Sequence, residues 1–338
     1  MIESIERLTK ESVESVNWQE VAQHARENAK KGFEAVKAGL GDLSKGKVHL
    51  HWLTNQEVKE ITLPLSGTGR LLKIENPCGD VKVVGGFDAG SITARAKFRG
   101  ATLEEAKEKA REYTLIVEES DSVWLIRQPD VTGLSVDLEI QLPGSGPVEV
   151  MVESGDVQVF DTKGSGRVSS KSGNIQLRGL SGQVDVSAES GNVVLEDLTS
   201  PSVTVESKSG NVNGVRVRGS LNVRAASGDV IATETSGRLI KLETVSGNIT
   251  LDIDEAVSGT VDVRTVSGNA SVSVPEESDC RVSLSTLRGC VASNVSLSDE
   301  AKTENRLTGR LGDGSGRLDV SAVTGNVTLD LRGAAVSA

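Results

Sequence analysis

Ser190-Gly191-Asn192-Val193, Ser209-Gly210-Asn211-Val212 and Ser227-Gly228-Asp229-Val230 are one phrase written three times, and its spacing decides the fold. The phrase also occurs upstream, at Ser154-Gly155-Asp156-Val157 and Ser172-Gly173-Asn174-Ile175. Downstream it occurs at Ser246-Gly247-Asn248-Ile249 and Ser267-Gly268-Asn269-Ala270. The serines are 18, 18, 19, 18, 19 and 21 residues apart. Half-period copies lie between them at Ser165-Gly166, Ser181-Gly182, Ser236-Gly237 and Ser258-Gly259. The phrase fades over 279–312 and returns at Ser315-Gly316 and Thr324-Gly325-Asn326-Val327. A fixed short period marks a stacked architecture.

Each copy is followed by apolar residues two apart, among them Val157/Val159, Ile175/Leu177, Val193/Leu195, Ile249/Leu251 and Val327/Leu329. Period-2 alternation with polar neighbours is the mark of a strand with one buried face. Gly supplies the positive φ of a tight corner, and Asn or Asp bonds its own backbone there. Between Ser236 and Ser246 the spacing grows by one residue and the apolar pair moves to Ile240/Leu242, as an inserted bulge residue requires. One strand and one corner cannot bury a face alone, whereas stacked coils can. The expected fold is mainly β: a parallel β-solenoid with 18–19-residue coils over 151–338, roughly ten of them at about 4.8 Å each.

Composition fits a thin core. The chain has 338 residues, 37% hydrophobic but only 2% aromatic, with 36 Gly. All of its Phe, Trp, Tyr and His residues lie at or before Phe160. The formal net charge of -11 argues against nucleic acid or anionic lipid as main partners. No apolar run is long enough to span a membrane, and the start Met1-Ile2-Glu3-Ser4 lacks a secretory signal pattern. A cytoplasmic location follows as the expectation, with envelope association through a partner.

The first part is built differently. Residues 1–45 read as an amphipathic helical segment: Asn17-Trp18-Gln19-Glu20 has the form of a capping box. Trp18, Ala22, Ala25, Ala29, Phe33, Val36 and Leu40 then follow at helical spacing up to Gly41. Residues 46–150 read as a β-rich entry region with one short helix near 102–112. It contains Leu71-Leu72-Lys73-Ile74-Glu75-Asn76-Pro77-Cys78-Gly79-Asp80-Val81-Lys82-Val83, then Ile92-Thr93-Ala94-Arg95-Ala96 and Val136-Asp137-Leu138-Glu139-Ile140. This order, followed by the Ser-Gly-Asp-Val repeats, resembles the bacterial putative-adhesin family of β-strand-repeat proteins, a domain-of-unknown-function family. The resemblance covers about 60–331. It implies a β-solenoid, often adhesin-like or envelope-associated, and supplies no catalytic residues.

The residues that could carry chemistry give weak signals. His49-x-His51 would face one side of a strand, but no third metal ligand lies nearby. The column Asn174, Asn192, Asn211, Asp229, Asn248 and Asn269 offers mostly neutral amides, which suit hydrogen bonding along a stack better than calcium. Asp156, Asp185, Glu206 and Asp262 are expected not to recur in one column. Asp252, Asp254 and Glu255 cluster in a lengthened turn, where solvation explains them. Gly67-x-Gly69 and Gly312-x-Gly314-x-Gly316 lack a following helix and a P-loop lysine, so no nucleotide is implied. Cys78 holds a serine position, Cys280 a glycine-like one and Cys290 an asparagine-like one; half a coil puts Cys280 and Cys290 at opposite corners, too far apart to bridge.

The sequence therefore predicts no catalytic, cofactor or metal residues. It predicts a non-enzymatic scaffold or protein-interaction module, self-associating through the N-terminal helix or open solenoid ends, with Arg332–Ala338 as a thin cap. A ligand-binding surface adhesin is the alternative, and a carbohydrate-active β-helix enzyme, with Asp252 and Asp254 as its carboxylates, the remote one.

Overall fold

The computed structural model describes residues 55–332. The expected helical segment 1–45 and the histidine pair His49 and His51 lie outside the described residues.

The described chain is mainly β, with strands joined in one open, unclosed sheet and one helix, Leu103–Glu112. Two parallel ladders dominate it. In the first, Val148–Ser154, Gly166–Ser172 and Val184–Ser190 pair side by side and continue through Ser202–Ser209, Leu221–Ser227, Leu239–Ser246 and Thr260–Ser267. In the second, Val157–Phe160 and Ile175–Arg178 lead through Val193, Val212, Val230 and Ile249 to Ala270. Alternation sets the register. Val157, Ile175, Val193, Val212, Val230, Ile249 and Ala270 fall in one buried column, so each apolar side chain rests on the copy before it. The buried residues of both ladders form a single core. Leu239 is the inserted residue near Ser236: it is largely exposed, while Ile240 and Leu242 are buried in register with Leu221 and Val223.

The Ser-Gly-Asn corner joins the ladders, and glycine is obligatory there. Gly228 has φ +124° and Gly247 φ +151°, which side chains rarely adopt. A Cβ on Gly247 would lie 2.0 Å from the carbonyl oxygen of Gly228. The opposite corner uses charged residues in the left-handed region instead: Asp197 at φ 52°, Arg216 at 53° and Glu234 at 51°. They stack, and Arg216 bonds Asp197 at 2.5 Å and approaches Glu234 at 3.9 Å.

Two expectations need correction. The ladders begin well before residue 154, because Leu71–Cys78 and Val81–Phe87 already form a rung, with Cys78 opposite Ser154 and Val81 opposite Val157. Residues 88–147 intervene: Val123–Arg127 and Leu134–Pro143 add one more parallel rung, beside Leu71–Cys78 and Val81–Phe87, and antiparallel strands then cover this end. Gly90–Arg99 lies between Gln56–Leu65 and Leu134–Pro143, and Ile116–Glu119 pairs with Val123–Arg127. The aromatic side chains concentrate here. Buried Phe98 and Tyr113 meet edge-on at 5.4 Å, and the Tyr113 hydroxyl donates to Gln128 Oε1 at 2.5 Å. Burial raises the Tyr113 hydroxyl to about 12.

The other end does not follow chain order. Thr260–Ser267 pairs with Gly316–Thr324, and only then comes Cys280–Arg288. Likewise Ala270–Val274 pairs with Val327–Leu331, and Val291–Ser293 lies outermost. The last described rung is therefore Cys280–Ser293; of the expected thin cap, all but Arg332 lies outside the described residues. Arg306–Leu311 and Ser298–Lys302 extend the first ladder antiparallel, sealing Leu307 and Leu311 against it. Every residue of Ser298–Lys302 is exposed, and Asp299, Glu300 and Lys302 charge this edge against further pairing.

Candidate interaction surface

The asparagine column is a continuous hydrogen-bond ladder. Each side-chain carbonyl oxygen accepts the backbone N–H of the same position in the next rung. Asp80 accepts from Asp156, Asp156 from Asn174, Asn174 from Asn192, Asn192 from Asn211 and Asn211 from Asp229, at 2.7–3.0 Å. Asp229 then accepts from Asn248, Asn248 from Asn269 and Asn269 from Asn326. Asn326 accepts from Cys290, which carries no oxygen to pass the series on, so the ladder stops at the outermost rung. The column's acceptors are thus committed to the backbone, and hydroxyls do similar work inside. Thr244 donates to the Gly228 carbonyl at 3.1 Å and Thr265 to that of Gly247 at 2.9 Å.

The outward face of the first ladder is a lattice of charge. Asp185, Thr204, Asn222, Lys241, Asp262 and Asp319 form one column, and Glu206, Arg224, Glu243 and Arg264 the next. Asp185 and Asp262 therefore do share a column, which corrects the expectation from sequence, while Glu206 and Asp156 lie elsewhere. The misjudgement has a simple cause: the inserted residue near Ser236 and the long step to 316 shift the outward positions in sequence but not in space. Lys241 meets Glu243 at 2.8 Å, Arg224 meets Glu243 at 3.3 Å and Arg264 meets Asp262 at 2.7 Å. The side chains of Glu243 and Asp262 are each only 17% exposed. Burial pushes the Asp262 carboxyl up, with Arg264 partly opposing it.

That shift has a testable sign. A carboxyl raised in the folded state leaves the fold most stable below its unfolded pKa and costs stability as pH rises through the folded value. Asp262→Asn is therefore expected to melt at the same temperature or higher at pH 7, and to flatten the pH 4–8 melting profile. A melting temperature several degrees lower at pH 7 would instead mark the Asp262–Arg264 pair as net stabilising.

The outward face of the second ladder is largely neutral. Asp229, Ile231, Asn248, Thr250, Asn269 and Ser271 line a shallow groove of about 340 Å³.

The remaining candidates resolve individually. Asp252 and Asp254 are held by Arg332, which lies 3.4 Å from Asp252 and bonds Asp254 directly. The Arg332 guanidinium holds the Asp254 carboxyl below the usual range. These carboxylates fasten the end of Val327–Leu331 and are not simply solvated. Gly67 and Gly69 form the turn before the strand Leu71–Cys78. Gly314 belongs to a loop gathered by Asp279, whose carboxylate accepts from the Gly314 N–H at 2.6 Å and from the Ser315 hydroxyl at 2.6 Å. Among the described residues no group of three or more His, Cys, Asp or Glu side chains is placed to hold a metal ion, and no helix is long and apolar enough to cross a membrane.

Cys78, Cys280 and Cys290 are free. Cys280 is buried and its thiol is pushed up to about 11, while Cys78 and Cys290 are exposed. Brief alkylation of the native protein at pH 8 should modify Cys78 and Cys290 and spare Cys280 until denaturant is added, as intact-mass measurement would show. Equal labelling of all three would mean that the outermost rung opens readily.

The family model of Toastrack DUF4097 matches residues 54–330, the stretch that builds both ladders and their covers. The chain belongs to the Toastrack DUF4097 family. This agrees with the adhesin-like repeat family whose motifs the sequence resembles. No curated protein matches the chain. Among solved structures, the Toastrack chain is similar to a putative cell adhesion protein from Clostridium sporogenes, at 11% identity and a TM-score of 0.23, covering 82% of this chain and 100% of that one. A putative adhesin from Bacteroides fragilis gives 12% identity and 0.35, covering 80% and 97%. One from Parabacteroides distasonis gives 10% and 0.30, covering 81% and 97%. TM-scores this low support no argument about the Toastrack chain.

Proposed function

We propose that this Toastrack chain is a non-enzymatic scaffold, a β-solenoid of 18–19-residue coils that presents its lateral faces to a protein partner. One observation carries the reading: the patterned polar groups are spent on the stack itself. The asparagine column serves backbone N–H groups, the threonines serve glycine carbonyls, and Asp252 and Asp254 serve Arg332. What recurs and remains outward is the charge lattice around Glu243 and Asp262. The antiparallel covers at both ends favour lateral contact over end-to-end stacking, and residues 1–45, whose sequence reads as an amphipathic helix, are a further route to self-association. Two exposed free thiols suit a reducing, cytoplasmic setting, with envelope association through the partner. The neutral groove beside Asp229 and Asn248 favours a second reading, a surface adhesin binding a small polar ligand.

Cross-linking mass spectrometry in cells, combined with sedimentation velocity of the full chain over a hundredfold concentration range, tests the proposal. A defined partner or oligomer whose cross-links fall beside Lys241 supports it. Polysaccharide cleavage that disappears in an Asp252→Asn/Asp254→Asn chain would overturn it.

A further inference from the structure

The charge lattice breaks at the outermost rungs of the first ladder. Arg317, Arg281 and Arg310 lie directly opposite one another on three neighbouring strands, and all three are exposed. Like charges in register oppose pairing, so the row carries a cost that an acidic chain has no structural need to bear. Elsewhere on this face cations alternate with carboxylates, as Arg224, Glu243 and Arg264 do. Arg317 bonds Asp319 and Arg310 bonds Asp299, both on the flanks of the row. Arg281, between them, has no carboxylate partner among the described residues, nor does Arg306, which lies opposite Ser285.

The ground between these cations is mostly hydroxyl, with one carboxylate that Arg317 already bonds. Ser283 lies between Thr308 and that Asp319, and Ser285 lies beside both Arg306 and Ser321. None of these four half-buried hydroxyls is engaged within the described chain. The loop at Gly314 packs against the stems of Arg281 and Arg310, where a Cβ would come within 3.1 Å and 3.2 Å of them, and so steadies both. The nearby Asp279 carboxylate is occupied by that loop.

We propose that Arg281, Arg310, Arg317 and Arg306, with the hydroxyls among them, bind the tetrahedral oxyanion of a phosphate or sulfate ester carried on a polymer. Guanidinium forks and hydroxyl donors match a tetrahedral oxyanion, and repeated esters would satisfy a row of cations spaced by the strand repeat. The inference goes beyond the scaffold reading and is independent of the partner that reading invokes.

Fluorescence anisotropy of the full chain at low salt and pH 7.4 tests it, with labelled dextran sulfate, labelled dextran phosphate and labelled polyglutamate as probes. The first or second binds and polyglutamate does not, and which of the two binds more tightly identifies the ester. Arg281→Ser lowers that affinity about tenfold or more while the melting temperature holds or rises, because the like-charge row is relieved; Arg216→Ser, at the far corner, leaves the affinity unchanged. Absence of binding to both esters, equal binding of polyglutamate, or an Arg281→Ser chain that binds as tightly as the parent would each overturn the site.

Discussion

Replacing Gly247 with alanine is expected to cost at least about 3 kcal/mol and to leave much of the chain unfolded at 37 °C. Two penalties act together. The backbone at φ +151° disfavours any side chain, and the added methyl would meet the Gly228 carbonyl at 2.0 Å. Relief requires the two rungs to separate, which would break the hydrogen bonds that Asn248 N–H makes to Asp229 and that Gly228 N–H makes to the Ser246 carbonyl. The same clash recurs at Gly228, Gly268 and Gly325, so each should behave alike. Gly69 is the control: it too has positive φ, but a Cβ there meets nothing within 4 Å, so Gly69→Ala should cost only the backbone term. Chemical denaturation of the five variants measures this. A Gly247→Ala chain as stable as Gly69→Ala would show that the corners are not in close contact.

Excising 279–312 is expected to turn a chain with protected ends into one that associates. The excision leaves 275–278 and 313–315 to join Ala270–Val274 to Gly316–Thr324, about the length of the connector 254–259 one rung earlier. The ladders would then follow chain order to the end, and folding should survive. What disappears is the outermost rung Cys280–Ser293 and the charged strand Ser298–Lys302. The edges of Gly316–Thr324 and Val327–Leu331 would be bare, with buried Leu318, Val320 and Leu329 at the end of the core. An uncovered parallel edge of this kind pairs with whatever strand it meets. Sedimentation velocity should show open-ended, concentration-dependent growth beyond any defined oligomer of the parent chain. Identical behaviour of the two would mean that the cover does not protect the end.

The repeats made most of this legible. A two-residue alternation says which side chains face inward, and an 18- or 19-residue period says which residues are neighbours, so the columns through Val157 and Asn174 followed directly. Neighbours separated by long insertions leave no such trace. Nothing local in Leu71–Cys78 states that Cys78 lies beside Ser154, and nothing in Thr324 states that it lies between Ser267 and Arg288. For the same reason the charge columns were misread, and the arginine row was invisible: Arg281, Arg310 and Arg317 are scattered in sequence and meet only through one parallel and one antiparallel pairing. Overall composition hid it further, since a net charge of -11 says nothing of a local patch.

Distances between spin labels on the corner column test the stacking and its order together. With Cys78 and Cys290 replaced by serine, one chain carries labels at Ser209→Cys and Thr324→Cys, and another at Ser209→Cys and Arg288→Cys. The ladders place Ser227, Ser246 and Ser267 between Ser209 and Thr324, with Arg288 one rung further on. At about 4.8 Å per rung the separations are roughly 19 Å and 24 Å. The account predicts the shorter distance for Thr324, although it is the more distant residue in sequence. A shorter distance to Arg288, or separations unrelated to the rung spacing, would contradict it.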